Sequence, residues 1–268
     1  MAKRAIAIAC HPDDIEFMMA GTLIRLKEAG YEIHYMNIAD GALGGNMLCH
    51  SELAARRRTE AMAAAKIIGA VYHESIAHDI EVFYNLDQLT KVVRVIREVD
   101  PEIVLTHGPF DYMEDHINAG RLATSAAFCR GMGNFRGAED LKPVMTDVCV
   151  YHSLPLSLCD QLNRPVIPDV FVDVTSTIPT KREMLNCHQT QKQWLDESQG
   201  MDAYLEDMAA GTEYYGRLSG RYKFAEGWIR HNHIGFCPAD FNPLADALGE
   251  KCMINQKFED SLKIENYL

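Results

Sequence analysis

Two short segments carry side chains whose types and spacing suit hydrolytic chemistry. The first is Cys10-His11-Pro12-Asp13-Asp14-Ile15-Glu16, and the second is Thr106-His107-Gly108-Pro109-Phe110-Asp111-Tyr112-Met113-Glu114-Asp115-His116. His11 and Asp14 are close enough in sequence to converge on one ion if the chain turns tightly between them. Asp13 lies between them, cannot easily face the same way, and is left free to hold or deprotonate a water. A third ligand from the second segment would complete a His₂Asp set with open positions, the pattern of a catalytic rather than a structural zinc site. Such a metal polarises a carbonyl and lowers the pKa of its water toward ~7. Taken singly, these residues are ordinary: an Asp-Asp pair after a strand is usually a helix cap, and lone histidines such as His34, His73 or His188 are usually structural. The two segments count because the fold should bring them together.

The elements that must position them are legible in the first half. Residues 4–10 form a continuous apolar strand, 15–29 a helical pattern ending at Gly30, and 32–38 a second strand. A glycine-rich loop (Gly41, Gly44, Gly45) follows, then a helix opened by Ser51 and Glu52 and running to about 68. A weaker strand at 70–75, a helix at 87–99, a strand at 103–106 and a helix starting near Asp115 complete the alternation. Strand–helix alternation of this kind predicts an α/β, Rossmann-like doubly wound sheet, mostly parallel, with helices on both faces. Its usual order sets strands 1 and 4 side by side where the winding reverses, and ligands bind outside the carboxyl ends of the strands at that crevice. Both segments fall there. Pro12 fixes the turn, and the carboxylates of Asp13 and Asp14 meet the positive end of a helix dipole. Further strands near 147–152 and 169–174 and a long polar helix at 177–198 follow. Without repeats or linkers, residues 1–268 read as one domain, with a core over about 4–200 and a C-terminal extension at 201–268.

Bulk properties exclude several classes. A net charge of −12 argues against nucleic acid as a partner. The apolar run near the N-terminus is too short for a signal sequence or a membrane span. The eight cysteines are dispersed and read as free thiols of a cytoplasmic protein. Neither a phosphate-binding Gly-x-x-x-x-Gly-Lys-Ser/Thr nor a Gly-x-Ser-x-Gly nucleophile elbow occurs. Gly41–Gly45 follows the second strand and reads as a rim loop. Of Arg56, Arg57 and Arg58, adjacent on a helix and therefore divergent, two read as a solvated face and Arg57 as a ligand candidate.

Over most of residues 4–200 the chain resembles the LmbE-like or PIG-L zinc-dependent de-N-acetylases. The resemblance is carried by His11-Pro-Asp-Asp-x-Glu16 with Gly21, by Asp115-His116, by Arg57-x-x-Glu60, and by Cys187-His-Gln-Thr-Gln191. It implies that His11, Asp14 and His116 bind Zn²⁺, that Asp13 is the general base, and that Asp115 is an orienting carboxylate. It also implies that Arg57 reaches toward a substrate such as an N-acetylglucosamine-type sugar or conjugate. One position departs from the pattern: the histidine that the family often carries three residues before the last ligand is Met113. Tyr112, His107, Asp111 or a residue from the second half takes its place, or the enzyme is slower, or it belongs to a subgroup with a different substrate. The displaced acid is preferred because the ligands and base remain, and Tyr112 is counted with Arg57 among the substrate-facing residues. The rival readings are a hydrolase of another small amide, such as a thiol or xenobiotic conjugate, and a non-catalytic sugar- or metal-binding protein. Asp13 favours the enzyme, since a module needing only the ion has no use for a base beside it. The sequence leaves open a homo-oligomer, and zinc is preferred over iron or manganese.

Overall fold

The computed structural model describes residues 2–45, 48–199 and 204–256. Its strands are β1 (Arg4–Ala9), β2 (Glu32–Asn37), β3 (Val71–His73), β4 (Ile103–His107), β5 (Cys149–Ser153), β6 (Val170–Asp173), β7 (Ala225–Arg230) and β8 (Cys252–Ile254). They form one sheet in the order β3-β2-β1-β4-β5-β7-β6-β8. The neighbours from β3 through β5 are parallel, and β7 runs antiparallel to both β5 and β6. β1 and β4 are side by side, as the alternation of elements predicts.

The helices are α1 (Asp14–Met18), α2 (Ala20–Glu28), α3 (His50–Ile67), α4 (Leu86–Val99), α5 (Glu114–Cys129), α6 (Ile178–Leu185), α7 (Gln189–Gln199), α8 (Tyr204–Ser219) and α9 (Pro243–Leu248). A strand buried on both faces alternates its side chains between two helix layers, and β1 does so. Ala5, Ala7 and Ala9 pack with Leu23 of α2 and Ala61, Ala64 and Ala65 of α3. Ile6 and Ile8 pack with Val92, Val93 and Ile96 of α4 and Ala119, Leu122 and Ala123 of α5. The small side chains on the first face let α2 and α3 approach closely.

Two long helices of the sequence reading are broken. The 15–29 pattern divides at Met19 (φ −132°), and the 177–198 pattern divides at Asn186-Cys187-His188. The stretch set apart as a C-terminal extension is threaded into the sheet, because β7 lies between β5 and β6. Glu226 of β7 is fully enclosed, accepting from the Gly21 N–H at 2.9 Å, the Thr22 N–H at 2.7 Å and Lys181 Nζ at 2.5 Å. This junction explains Gly21: a Cβ there would lie 2.5 Å from Val174 Cγ1 and 2.9 Å from Glu226 Oε1. All eight cysteines are free thiols. Among the described residues no helix is long and apolar enough to cross a membrane.

Candidate active site

The carboxyl ends of β1 and β4 deliver the two chemistry-bearing segments to one point. Asp14 Oδ2 accepts from the His11 backbone N–H at 2.7 Å, which folds the turn back on itself. The same oxygen lies 3.5 Å from His11 Nδ1 and 3.4 Å from His116 Nε2. Tetrahedral zinc with bonds of 2.0–2.1 Å needs donor atoms about 3.3–3.4 Å apart, so the distances from Asp14 to the two rings fit that ion, and one ligand atom from each of the three residues lies within 4.8 Å of the others. The remaining ring nitrogens face carboxylates. His11 Nε2 is 3.3 Å from Asp115 Oδ2, and His116 Nδ1 is 3.1 Å from Asp111 Oδ1. Carboxylates behind ligating histidines fix the tautomer and raise ring basicity. The sequence reading gave that task to Asp115 alone. The structure divides it, with Asp115 behind His11 and Asp111 behind His116. Asp115 Oδ2 also accepts from the Ile80 backbone N–H at 2.7 Å.

Asp13 stands beside this triad on a strained backbone, with φ of +112° at the N-cap of α1. Non-glycine residues hold such a conformation only where their surroundings over-determine it, commonly at functional sites. Its Oδ2 accepts a 2.6 Å hydrogen bond from the Tyr204 hydroxyl. Burial, then the adjacent Asp14 charge, push its pKa up to about 6, against the opposing pull of His188 and Tyr204. Burial also works to raise Asp14, but His116, His107 and His11 more than offset it, and its carboxyl lies well below the usual range. Two adjacent carboxylates are thereby driven apart, one held ionised and one poised to exchange a proton.

The other candidates fall around this centre. His107 is fully buried, its Nε2 accepting from the Cys10 N–H at 3.0 Å and its ring stacked on His116 at 4.1 Å. Asp111 is likewise enclosed. Tyr112 is 42% exposed and stands edge-on to His116 at 5.9 Å, which sets it at the mouth. Met113 precedes α5 as its N-cap and offers no side-chain cap.

Arg57 is buried and pointed inward, while exposed Arg56 and Arg58 pair with Glu60 and Glu74. One nitrogen of its guanidinium, Nη2, donates to the Gly44 carbonyl at 2.8 Å and to Gln191 Oε1, while Nε has no hydrogen-bond partner among the described residues. The site thus brings Arg57 against the rim loop. Gly41, at φ +76°, passes so close that a Cβ would meet Arg57 Cδ at 2.5 Å. The Cys187–Gln191 segment is explained in the same way. His188 Nε2 lies 3.3 Å from Glu16 Oε2, Thr190 Oγ1 donates to Glu60 Oε2 at 2.6 Å, and Gln191 holds Arg57. Tyr204 was missed by the sequence reading, since nothing local marks a tyrosine as the partner of a carboxylate 191 positions away.

Residues 6–127 match the family described as PIG-L: GlcNAc-PI de-N-acetylase, a span that contains His11, Asp13, Asp14, Arg57, Asp111, Asp115 and His116. The chain is 29% identical to the diacetylchitobiose deacetylase of Thermococcus kodakarensis, over 89% of this chain and 85% of that one. It is 27% identical to the 4-oxalmesaconate hydratase of Pseudomonas putida, over 69% and 72% of the two chains. The fold is that of the N,N'-diacetylchitobiose deacetylase of Pyrococcus horikoshii, solved with an inhibitor, at a TM-score of 0.73, 23% identity and coverage of 91% and 89%. With its His-Pro-Asp-Asp turn and Asp-His helix start in register at one sheet crevice, the chain is similar over residues 6–127 to the PIG-L, or LmbE-like, de-N-acetylases.

Proposed function

We propose that the protein is a zinc-dependent hydrolase that removes the acetyl group from an N-acetylglucosamine-type sugar or conjugate. The observation carrying this reading is the convergence of His11, Asp14 and His116, with Asp14 at tetrahedral-edge distance from each ring and buried Asp13 beside them, outside the ligand set. The deacetylases of Thermococcus kodakarensis and of Rhodococcus opacus, the latter named for a 2-acetamido-2-deoxy-glucopyranoside of inositol, support the substrate class.

His11, Asp14 and His116 would hold the ion, which when bound supplies Lewis-acid polarisation and acidifies water. Asp13 takes a proton from the attacking water, whose oxygen forms the new bond to the acetamido carbon. Tyr112 at the mouth donates a hydrogen bond to the acyl oxygen as negative charge develops there, the task that Met113 cannot perform. The carbon–nitrogen bond then breaks, and the proton held by Asp13 passes to the departing nitrogen. The products are acetate and a free amine. Tyr204 keeps Asp13 oriented through the cycle, and Asp111 and Asp115 fix the two histidine rings.

The hydratase relative supports a second reading, addition of water to an unsaturated acid by the same base. The test combines metal analysis with amine release from N-acetylglucosamine and diacetylchitobiose, and hydration of 4-oxalmesaconate, for the native protein, His116→Ala and Asp13→Ala. Zinc-dependent amine release, lost in both variants with zinc retained in Asp13→Ala, is expected. Hydration without amine release would replace the deacetylase reading, and failure to bind metal after reconstitution would overturn both.

A further inference from the structure

A second group of metal-ligating side chains lies apart from the triad. Asp40 follows β2, His50 opens α3, and His78 sits in the loop after β3, yet one ligand atom from each lies within 4.8 Å of the others. His78 Nδ1 is hydrogen-bonded to Asp40 Oδ2 at 2.5 Å, a bond that an ion would replace by parting the two atoms to about 3.3 Å, and the His50 and His78 rings stand edge to face with centroids 4.7 Å apart. The carboxylate is already oriented. Its Oδ1 accepts from the Ala42 backbone N–H at 3.1 Å, which turns Oδ2 toward the histidines, and the side chain is only 16% exposed. Both histidines face solvent, so an ion has an open path in and water can complete its coordination. Two imidazoles and one carboxylate are a donor set that suits zinc-class divalent ions.

We infer that Asp40, His50 and His78 bind a second divalent transition-metal ion at the rim of the cleft, distinct from the ion assigned to the triad. The inference does not depend on the reaction that the triad performs. The neighbourhood gives the site a mechanical consequence. Asp79, next to His78, accepts from the Gly41 N–H at 2.7 Å and the Leu43 N–H at 2.9 Å. Ile80, two residues beyond His78, donates to Asp115, which stands behind His11. An ion on the three ligands therefore ties together the start of α3, the 40–45 loop and the 76–81 loop that reaches the triad.

The test is a titration of chelator-stripped protein with Zn²⁺, read by calorimetry and by metal analysis after gel filtration. The native protein should bind in two classes, and the His50→Ala, His78→Ala double variant should keep one, with affinity at the other reduced by more than ~100-fold. His116→Ala should lose the opposite class and keep the rim one. Hydrogen exchange in 40–45 and 76–81 should slow on saturation of the native protein and of His116→Ala, but not of the double variant. Since both altered histidines are exposed, the double variant should fold normally, which its unfolding curve checks. Native protein that saturates at one equivalent, or a double variant that still binds two, overturns the inference.

Discussion

The Tyr204 hydroxyl and Asp13 Oδ2 are joined by a 2.6 Å hydrogen bond that closes α8 over the turn after β1. Both groups are buried, Tyr204 with 1% and Asp13 with 7% of its surface exposed. A carboxylate taken out of water needs such a donor, and a hydrogen bond to a charged group is worth about 1.5–3 kcal/mol. The bond also fixes which Asp13 oxygen is left to face a water.

Tyr204→Phe should therefore lower kcat by roughly 10–100-fold with KM little changed, because a misdirected base loses its geometry while ground-state contacts persist. Zinc content should stay at the native level. Tyr215→Phe serves as the control, since the Tyr215 hydroxyl is buried with no hydrogen-bond partner among the described residues. Equal losses in the two variants, or unchanged turnover in Tyr204→Phe, would remove Tyr204 from its positioning role.

Asp111 and Asp115 stand behind different histidines, at 3.1 Å from His116 Nδ1 and 3.3 Å from His11 Nε2. Asp111→Asn and Asp115→Asn should each weaken zinc binding by about 10–100-fold, the usual effect of losing a carboxylate behind a ligating histidine. Competition with a chelator of known affinity measures this. Asp115→Asn should also speed hydrogen exchange at Ile80, whose N–H it accepts, whereas Asp111→Asn should not. Native zinc affinity in Asp111→Asn would show that His116 needs no carboxylate behind it.

Much of the site was legible because its parts are local. The His-Pro-Asp-Asp turn and the Asp-His helix start each follow a short apolar strand, and parallel-sheet topology then forces the two ends together. What escaped the reading depends on contacts between distant residues. Nothing near position 226 announces that Glu226 will cap Gly21 and Thr22, so β7 was set apart from the sheet it completes. The helix at 177–198 kept its polar periodicity through Asn186-Cys187-His188, and only the pairing of His188 with buried Glu16 marks the break there. Asp111 and Asp115 lie four apart in one segment, and sequence spacing alone could not say that they serve different rings.

The sequence points to Arg57 as a substrate ligand, and in the structure Nη2 of its guanidinium holds the Gly44 carbonyl and Gln191. Its effect on substrate should run through the shape of the 41–45 loop. Arg57→Lys shortens the reach of the one nitrogen that donates to both acceptors, and it should raise KM roughly tenfold, about 1.4 kcal/mol, with kcat changed much less. Gln191→Ala should move KM in the same direction. A direct substrate contact would instead leave Gln191→Ala silent while Arg57→Lys weakens binding.

His152 gives the stability of the fold a calculable dependence on pH. Its Nδ1 donates to the His107 carbonyl at 2.8 Å, so in the neutral ring Nε2 is the acceptor, meeting His231 Nδ1 at 2.9 Å. Burial pulls its pKa down to about 4, partly opposed by the bond to His107 and reinforced by His231. The unfolded chain, with a histidine near 6.5, takes up a proton that the folded chain refuses until about pH 4. The stabilisation is thus fully present above about pH 6.5 and is lost as pH falls toward 4, a swing on the order of 2–3 kcal/mol. Urea unfolding of His152→Gln should give a smaller loss of stability than the native protein between pH 6.5 and 4, and a constant difference above pH 7. Parallel curves across the acid range would mean that His152 titrates alike in both states, and that the acid sensitivity of the fold lies elsewhere.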